Sequence, residues 1–374
     1  MKHYDIIIIG AGAAGIGFGA ALKHFGIDSF VILERGEIGE SFLNWPTDTR
    51  FITPSFTTNG FGFPDINAIV PNTSPAYSFE KEHISGEEYA DYLAAVAQNY
   101  ELPIHEHTEV THVEKEQDVF VVSTVDTCYQ AKYVIFAVGE FQRPNRLGIE
   151  GGELGIHYGE VADFAWGSGT EYVVIGGNES GVDTLVNLVE AGNSVTLYTS
   201  SFGQSERVPD PSIALSPITK TRLRNAIEKY GNQITIREGM RLMGIERDES
   251  GFTLSFQDGE IARTPHQPVL ATGFLSEVHQ FESPLFEYNE DCIPLVNKYD
   301  ESTVYENAFL IGPSVRQQQV IFCYIYKFRQ RFAYIIHQIA QREGWEVSED
   351  ALSFYKMNQM YLDDLACCAV ECDC

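Results

Sequence analysis

The sequence predicts an α/β fold built from two similar strand–turn–helix–strand units, the second inserted in the first. Three observations predict it. Two distant segments share one pattern of apolar strand, glycine turn and apolar helix. Each is followed later in the chain by an apolar strand ending in Ala-x-Gly. The chain has 374 residues, longer than one core usually grows.

The first unit is "YDIIIIGAGAAGIGFGAALKHFGIDSFVILERG". Residues 4–9 read as a buried parallel strand, short and β-branched. Gly10, Gly12 and Gly15 follow in the pattern G-x-G-x-x-G, and an apolar helix runs from Ala13 through Ala14 to Phe25. A second strand, "SFVILE", ends in Glu34. The pattern has a physical rationale. Gly10 permits a tight turn, Gly12 admits a diphosphate close to the backbone, and Gly15 lets the helix pack on the strand. The helix N-terminus offers free N–H groups and a positive dipole. A carboxylate at Glu34 suits a ribose diol.

The second unit, "EYVVIGGNESGVDTLVNLVEAGNSVTLYTSS", repeats the plan. A strand over 172–175 enters the turn Gly176, Gly177, Asn178, Glu179, Ser180 and Gly181, followed by a helix over 181–191 and the strand "SVTLYT". Asn178 replaces the middle glycine, and Asn tolerates left-handed backbone better than most residues. This strand ends in Thr199, Ser200 and Ser201, with no acid. A carboxylate there would repel a 2′-phosphate, so the pattern leans to NADPH without excluding NADH. Arg207, Lys220 and Arg222 are candidate cations for that phosphate. Together the two units predict two Rossmann-like dinucleotide-binding domains, one for a resident FAD and one for a visiting nicotinamide.

"YVIFAVGEFQRPN" brings Ala137 and Gly139 to the first site, and "PVLATGFLSE" brings Ala271, Thr272 and Gly273 to the second. "FVVST" and "FTLSF" read as antiparallel strands leading into them. "YENAFLIGPSV" is a further strand, carrying Gly312 and Pro313 past the flavin before a helix over roughly 316–341. The expected domains are 1–155 with 277–350 for FAD, 156–276 for NAD(P)H, and 351–374 as a terminal helix and Cys-rich tail.

Composition narrows the partners. The net charge is −28, from 53 acids and 25 bases. That disfavours nucleic acid and anionic membrane surfaces and leaves a small-molecule substrate. No run approaches the ~18 apolar residues of a membrane span, and no N-terminal signal core is visible. The expected compartment is a reducing cytoplasm.

With these motifs, the chain resembles the flavin-containing monooxygenase-like flavoproteins, a branch of the two-dinucleotide-binding superfamily. The likeness covers most of residues 1–345 and is carried by "GAGAAG" with Glu34, "GESFLNWP", "TTNGFGFPD", "FAVGEFQRP", "VVIGGNESG" and "LATGF". Within that branch it is most similar to small bacterial members, some of them accessory to metal-cation efflux. The resemblance implies that Arg35 joins Glu34 at the FAD, and that Ser41, Phe42 and Trp45 lie near the flavin. It implies that Val110 offers backbone to the adenine, and that Asn59 is the catalytic residue holding the nicotinamide or the oxygenated flavin. It also implies a homodimer. Asn59–Gly60 equally reads as a plain turn. The family's fingerprint before the second glycine motif is incomplete, with Gly151, Glu153 and Val161 at its Phe, Gly and aromatic positions. His157 within it reads as a structural surface histidine.

Three readings stay open for the flavin: oxygen as acceptor, with oxygenation of a soft sulfur or nitrogen; a disulfide or soft metal ion reduced through the C-terminal cysteines; or no catalytic outlet, in a metal-handling or redox-sensing flavoprotein that partners an efflux system. Disulfide reductases of this superfamily set a cysteine pair against the flavin, yet residues 36–50 and 156–275 contain no Cys. Ala14 stands where some thiol-linked relatives carry one. Cys128, Cys292 and Cys323 are isolated. The tail "YLDDLACCAVECDC" holds Cys367, Cys368, Cys372 and Cys374, four of the seven cysteines. Among Asp363, Asp364, Glu371 and Asp373 they read as soft-metal ligands, as a redox pair, or as an inert end.

Overall fold

The structure is a computed structural model that describes residues 2–56, 63–206, 212–281, 284–318 and 320–365. The chain divides into two compact units: residues 1–43, 53–140 and 275–374, and residues 44–52 with 141–274.

The first unit opens with β1 (Lys2–Ile9), α1 (Ala13–His24) and β2 (Phe30–Leu33). Ile6 to Ile9 and all of β2 are buried, as a near-continuous apolar run requires of a strand covered on both faces. Short helices α2 (Glu40–Leu43) and α3 (Pro75–Phe79) precede α4 (Gly86–Asn99), which starts in a capping box between Ser85 and Glu88. Then come β3 (Ile104–His105), β4 (Val110–Glu116), β5 (Val119–Thr124) and β6 (Cys128–Phe136). The sheet order is β3-β2-β1-β6-β5-β4. β6 pairs in parallel with β1 along most of its length and antiparallel with β5 over residues 128–131.

The second unit comprises β7 (Ile156–His157), β8 (Glu171–Ile175), α5 (Glu179–Glu190), β9 (Ser194–Thr199), α6 (Pro217–Tyr230) and β10 (Ile234–Glu238). β11 (Leu242–Asp248), β12 (Gly251–Phe256), β13 (Ile261–Thr264) and β14 (Val269–Leu270) complete it. Its parallel sheet runs β10-β9-β8-β14-β7, and β11-β12-β13 form a separate antiparallel sheet. Two apolar clusters fill it. One centres on Val174, Leu185, Leu188 and Leu197, the other on Val173, Ile175, Leu254 and Leu270. Residues 44–52 dock here: Thr47 N–H donates to Ala162 O at 2.9 Å, and Phe164 N–H donates to Asp48 Oδ2 at 3.3 Å.

The chain then completes the first sheet with β15 (Ala308–Leu310), parallel to β6. Where the sequence suggests a helix from about 316, the structure has a hairpin, β16 (Arg316–Gln317) with β17 (Val320–Ile321), turned by Gln318 at φ 54°. The run "VIFCYIY" after the three glutamines is apolar without a helical stripe, and β-branched Val320 and Ile321 suit a strand. Helix resumes as α7 (Ile325–Phe328) and α8 (Phe332–Glu343), the latter ending on left-handed Gly344. α9 (Glu349–Met357) packs back on α1, with Tyr355 OH 3.0 Å from His24 Nδ1.

Candidate functional site

The first glycine loop is built by backbone contact. Gly10 has φ +105°, and a Cβ there would lie 2.5 Å from Ala137 O. A Cβ on Gly15 would lie 1.9 Å from Gly10 O. Strand, turn, helix and exit strand thus touch where no side chain fits. Gly12 differs: a Cβ there meets nothing within 4 Å. Its face is open, and α1 begins with no side-chain cap and no acid in its first turn. By contrast α3, α4, α6 and α9 all begin on a capping serine. The first-turn amides of α1 are therefore left for a ligand.

Glu34 is 8 % exposed and lies across this loop. Its Oε2 accepts from Ala11 N–H at 2.6 Å and its Oε1 from Gly36 N–H at 2.9 Å. A carboxylate has about four acceptor sites, so two remain for ribose hydroxyls. Arg35 pairs with buried Glu277 at 3.1 Å, and Glu277 N–H donates to Gly139 O at 3.0 Å. Gly312 faces Ala14, a Cβ at Gly312 falling 3.2 Å from Ala14 Cβ. Thr108 N–H donates to Glu34 O at 2.7 Å and so ties Val110, two residues on, to the same loop. The structure thus gathers Gly10, Ala14, Gly15, Glu34, Arg35, Ala137, Gly139 and Gly312. Phe42 stacks edge-on with Tyr89 at 4.7 Å, next to Ser41 in α2. Trp45 belongs to the second unit, its ring 5.0 Å from Phe51. Asn59, Arg207 and the four tail cysteines lie outside the described residues.

The second loop repeats the construction. Gly176 has φ +120°, with a Cβ position 2.1 Å from Ala271 O, and a Cβ on Gly181 would lie 2.0 Å from Gly176 O. Asn178 corrects an expectation. Its backbone is extended, φ −101° and ψ −160°, so left-handed tolerance plays no part. Its side chain lies against the chain at Gly203, where a Cβ would sit in steric conflict with Asn178 Oδ1. The Glu179 carboxylate turns to the start of α6, accepting from Ser216 Oγ at 3.3 Å and Thr219 Oγ1 at 2.5 Å. Burial pushes its acidity down and its pKa up. Thr199 Oγ1 donates to Ser201 O, and Thr272 Oγ1 donates to Asn145 O at 2.5 Å. Ser200 and Ser201 are exposed.

His157 is buried rather than at the surface. Its Nδ1 accepts from Gly159 N–H at 3.1 Å, which leaves Nε2–H to donate to Gly273 O at 2.9 Å. Burial lowers its pKa, so the ring is neutral and pins the exit strand. Sequence inspection misses a second network. Asp183 of α5 accepts from Tyr158 OH at 2.9 Å and from Arg222 at 2.5 Å, and Thr49 Oγ1 reaches it at 3.2 Å. The available signal was an acid on the apolar stripe of α5, between Val182 and Leu185. Arg222 also holds Asn187 Oδ1 at 3.0 Å and is thereby committed to α5. Among the described residues no group of three His, Cys, Asp or Glu side chains is placed to hold a metal, and no helix is long and apolar enough to cross a membrane.

Comparison with known proteins decides the family. A model of the pyridine nucleotide-disulphide oxidoreductases matches residues 7–312. The chain belongs to this family. It is 26% identical to "Bacilliredoxin reductase Bdr" of Bacillus subtilis over 358 residues, 92% of this chain and 100% of that protein. It is 32% identical to "Uncharacterized oxidoreductase CzcO-like" of Geobacillus kaustophilus over 145 residues, spanning only 38% of this chain and 38% of that relative's length. Among solved structures it shares the fold of a flavin-containing monooxygenase from Stenotrophomonas maltophilia, with TM-score 0.71, 17% identity and coverage of 91% of this chain and 99% of that one. The pyridine nucleotide-disulphide oxidoreductase chain is thus a flavin-dependent oxidoreductase of two-dinucleotide-domain architecture. FAD and a nicotinamide dinucleotide fit this family, and both uncapped glycine loops fit their diphosphates.

Proposed function

We propose that the enzyme takes electrons from NAD(P)H and uses them, through FAD, to oxygenate a soft nucleophile. In the balanced reaction NAD(P)H, a proton, dioxygen and the nucleophilic substrate yield NAD(P)⁺, water and the substrate bearing one oxygen atom. Bound FAD would supply the acceptor for the hydride and the route of its electrons to oxygen. The chain's own residues bind and orient. The open face at Gly12 and the first-turn amides of α1 would hold the FAD diphosphate. Glu34 would accept ribose hydroxyls while fixing Ala11 and Gly36. Val110, Ala137, Gly139, Gly312 and Pro313 would wall that site. The Gly176–Gly181 loop with Ala271 to Gly273 would seat the nicotinamide dinucleotide, and Asn59 would position its reacting end or the oxygen.

One observation carries the oxygen outlet. The helix position facing Gly312 holds the Ala14 methyl, not a thiol, and residues 36–50 and 156–275 lack Cys altogether. A disulfide outlet is the second reading. The full-length similarity to a bacilliredoxin reductase favours it, and it would need the tail thiols of Cys367 and Cys368, which also suit a soft metal ion. The test is anaerobic reduction by NAD(P)H followed by admission of oxygen. A long-lived species absorbing in the near ultraviolet is expected. Immediate return of the oxidised spectrum with stoichiometric hydrogen peroxide overturns the oxygenase reading. A charge-transfer band during reduction that vanishes in Cys367→Ser/Cys368→Ser replaces it with the disulfide one.

A further inference from the structure

We infer that Glu238 selects the nicotinamide dinucleotide by its ribose, admitting NADH and disfavouring NADPH. The inference rests on β8–α5–β9 being the nicotinamide site, and it names which dinucleotide that site takes.

In the first unit the acid that faces the loop, Glu34, directly follows the second strand, β2. At the matching end of β9 the sequence has no acid. The sheet supplies one from the neighbouring strand. Glu238 is the last residue of β10 and pairs in register with Thr199, the last residue of β9. Its Oε2 accepts from Ser205 Oγ at 3.1 Å. Ser205 lies on the chain leaving β9, which folds back over the glycine turn: Gly203 N–H donates to Gly177 O at 3.1 Å. The carboxylate therefore stands at the C-terminal end of β9, in register with Thr199 and bonded to the segment that follows exposed Ser200 and Ser201, and the ribose of a dinucleotide seated on this loop would lie at that strand end.

Three described groups near this strand end already have partners. Thr199 Oγ1 already donates to Ser201 O. Arg222 is held by Asp183 and Asn187. Arg237, next to Glu238 on β10, grips Glu260 with contacts of 2.5 and 2.9 Å. A 2′,3′-diol can donate to the Glu238 carboxylate. A 2′-phosphate brings like charge against it, a repulsion that at this exposed site is worth about tenfold in binding.

The test uses the flavin-loaded full chain. Calorimetry gives the affinities of NAD⁺ and NADP⁺, and anaerobic stopped flow gives the rates at which NADH and NADPH bleach the flavin. The native protein is expected to prefer the non-phosphorylated form in both. Glu238→Gln should narrow that preference about tenfold, and Glu238→Lys should reverse it. A native preference for NADP⁺ overturns the inference, as does a ratio unmoved by Glu238→Gln. So does an Arg207→Ala variant that weakens NADP⁺ alone, since the phosphate would then have its cation. If neither dinucleotide binds or bleaches the flavin, the nicotinamide site itself is misassigned and the inference falls with it.

Discussion

The two glycine loops solve one steric problem in the same way and then diverge. In each, the first glycine lies on the carbonyl of the exit strand, at Ala137 or Ala271, and the last lies on the carbonyl of the first. Those contacts are set by backbone, so the residue types are nearly fixed. The middle of each loop is not set that way. Gly12 opens on empty space, whereas Gly177 is backed by Thr199 and Ser201, and Asn178 by Gly203. The first loop is finished by an acid that directly follows its second strand. The second is finished by hydroxyls there and an acid from the strand alongside. The shared part makes a helix start on a strand end. On the proposed reading, the divergent part fits each loop to its own ligand, one resident and one exchanging.

The largest effects break the shared part. Gly15→Ala puts a methyl 1.9 Å from Gly10 O, and Gly181→Ala puts one 2.0 Å from Gly176 O. Each forces helix and strand apart at a cost of about 3 kcal/mol or more. If the loops serve different dinucleotides, the consequences separate. Gly15→Ala should purify without flavin absorbance. Gly181→Ala should stay yellow, with nicotinamide-driven bleaching slowed at least ~100-fold, the rate equivalent of that cost. Flavin lost from Gly181→Ala, or retained in full by Gly15→Ala, would erase the distinction.

A subtler pair sharpens the divergent part. A methyl at Gly12 touches no protein atom within 4 Å. Gly12→Ala should therefore leave the unfolding temperature of the flavin-free protein within a few degrees while weakening FAD binding about tenfold, because the methyl occupies the diphosphate's approach. Asn178→Ala removes a side chain that faces Gly203 and should leave flavin content unchanged. Differential scanning calorimetry and flavin titration of both variants measure this. An unaltered FAD affinity in Gly12→Ala means the open face is not the binding face.

What was legible in the sequence follows the same division. β1, α1 and β2 fall within two residues of their expected ends, because glycine spacing and apolar periodicity are local signals. The second unit is equally legible, though α5 starts two residues early, at Glu179. What escaped depends on distant partners. Residues 44–52 join the second unit through Thr47 to Ala162 and Thr49 to Tyr158, contacts that no local pattern announces. Glu238 acquires its place from register with β9, which only the folded sheet defines. The 316–321 hairpin was hidden because a short apolar run fits helix and strand alike.

The smallest expected effect concerns the exit strand of the second loop and depends on pH. His157 is buried and neutral, with Nε2–H on Gly273 O and Nδ1 filled by Gly159 N–H. Burial, the largest influence, places its folded pKa below the 6.5 of a free histidine, and Arg146 adds to the shift. The unfolded chain thus takes up the proton first. The stability His157 contributes is complete above about pH 6.5 and is lost as pH falls from there towards the folded pKa. Glu160, whose Oε2 accepts from His157 N–H at 2.8 Å, favours the charged ring and limits the loss. His24, His105 and His337 in the first unit are shifted the same way by burial, so total acid sensitivity is not diagnostic. The informative quantity is the difference between native protein and His157→Gln. Between pH 7.5 and 5.5 the native unfolding temperature should drop by a few degrees more than the variant's. Equal drops would mean that the ring is not a neutral donor to Gly273.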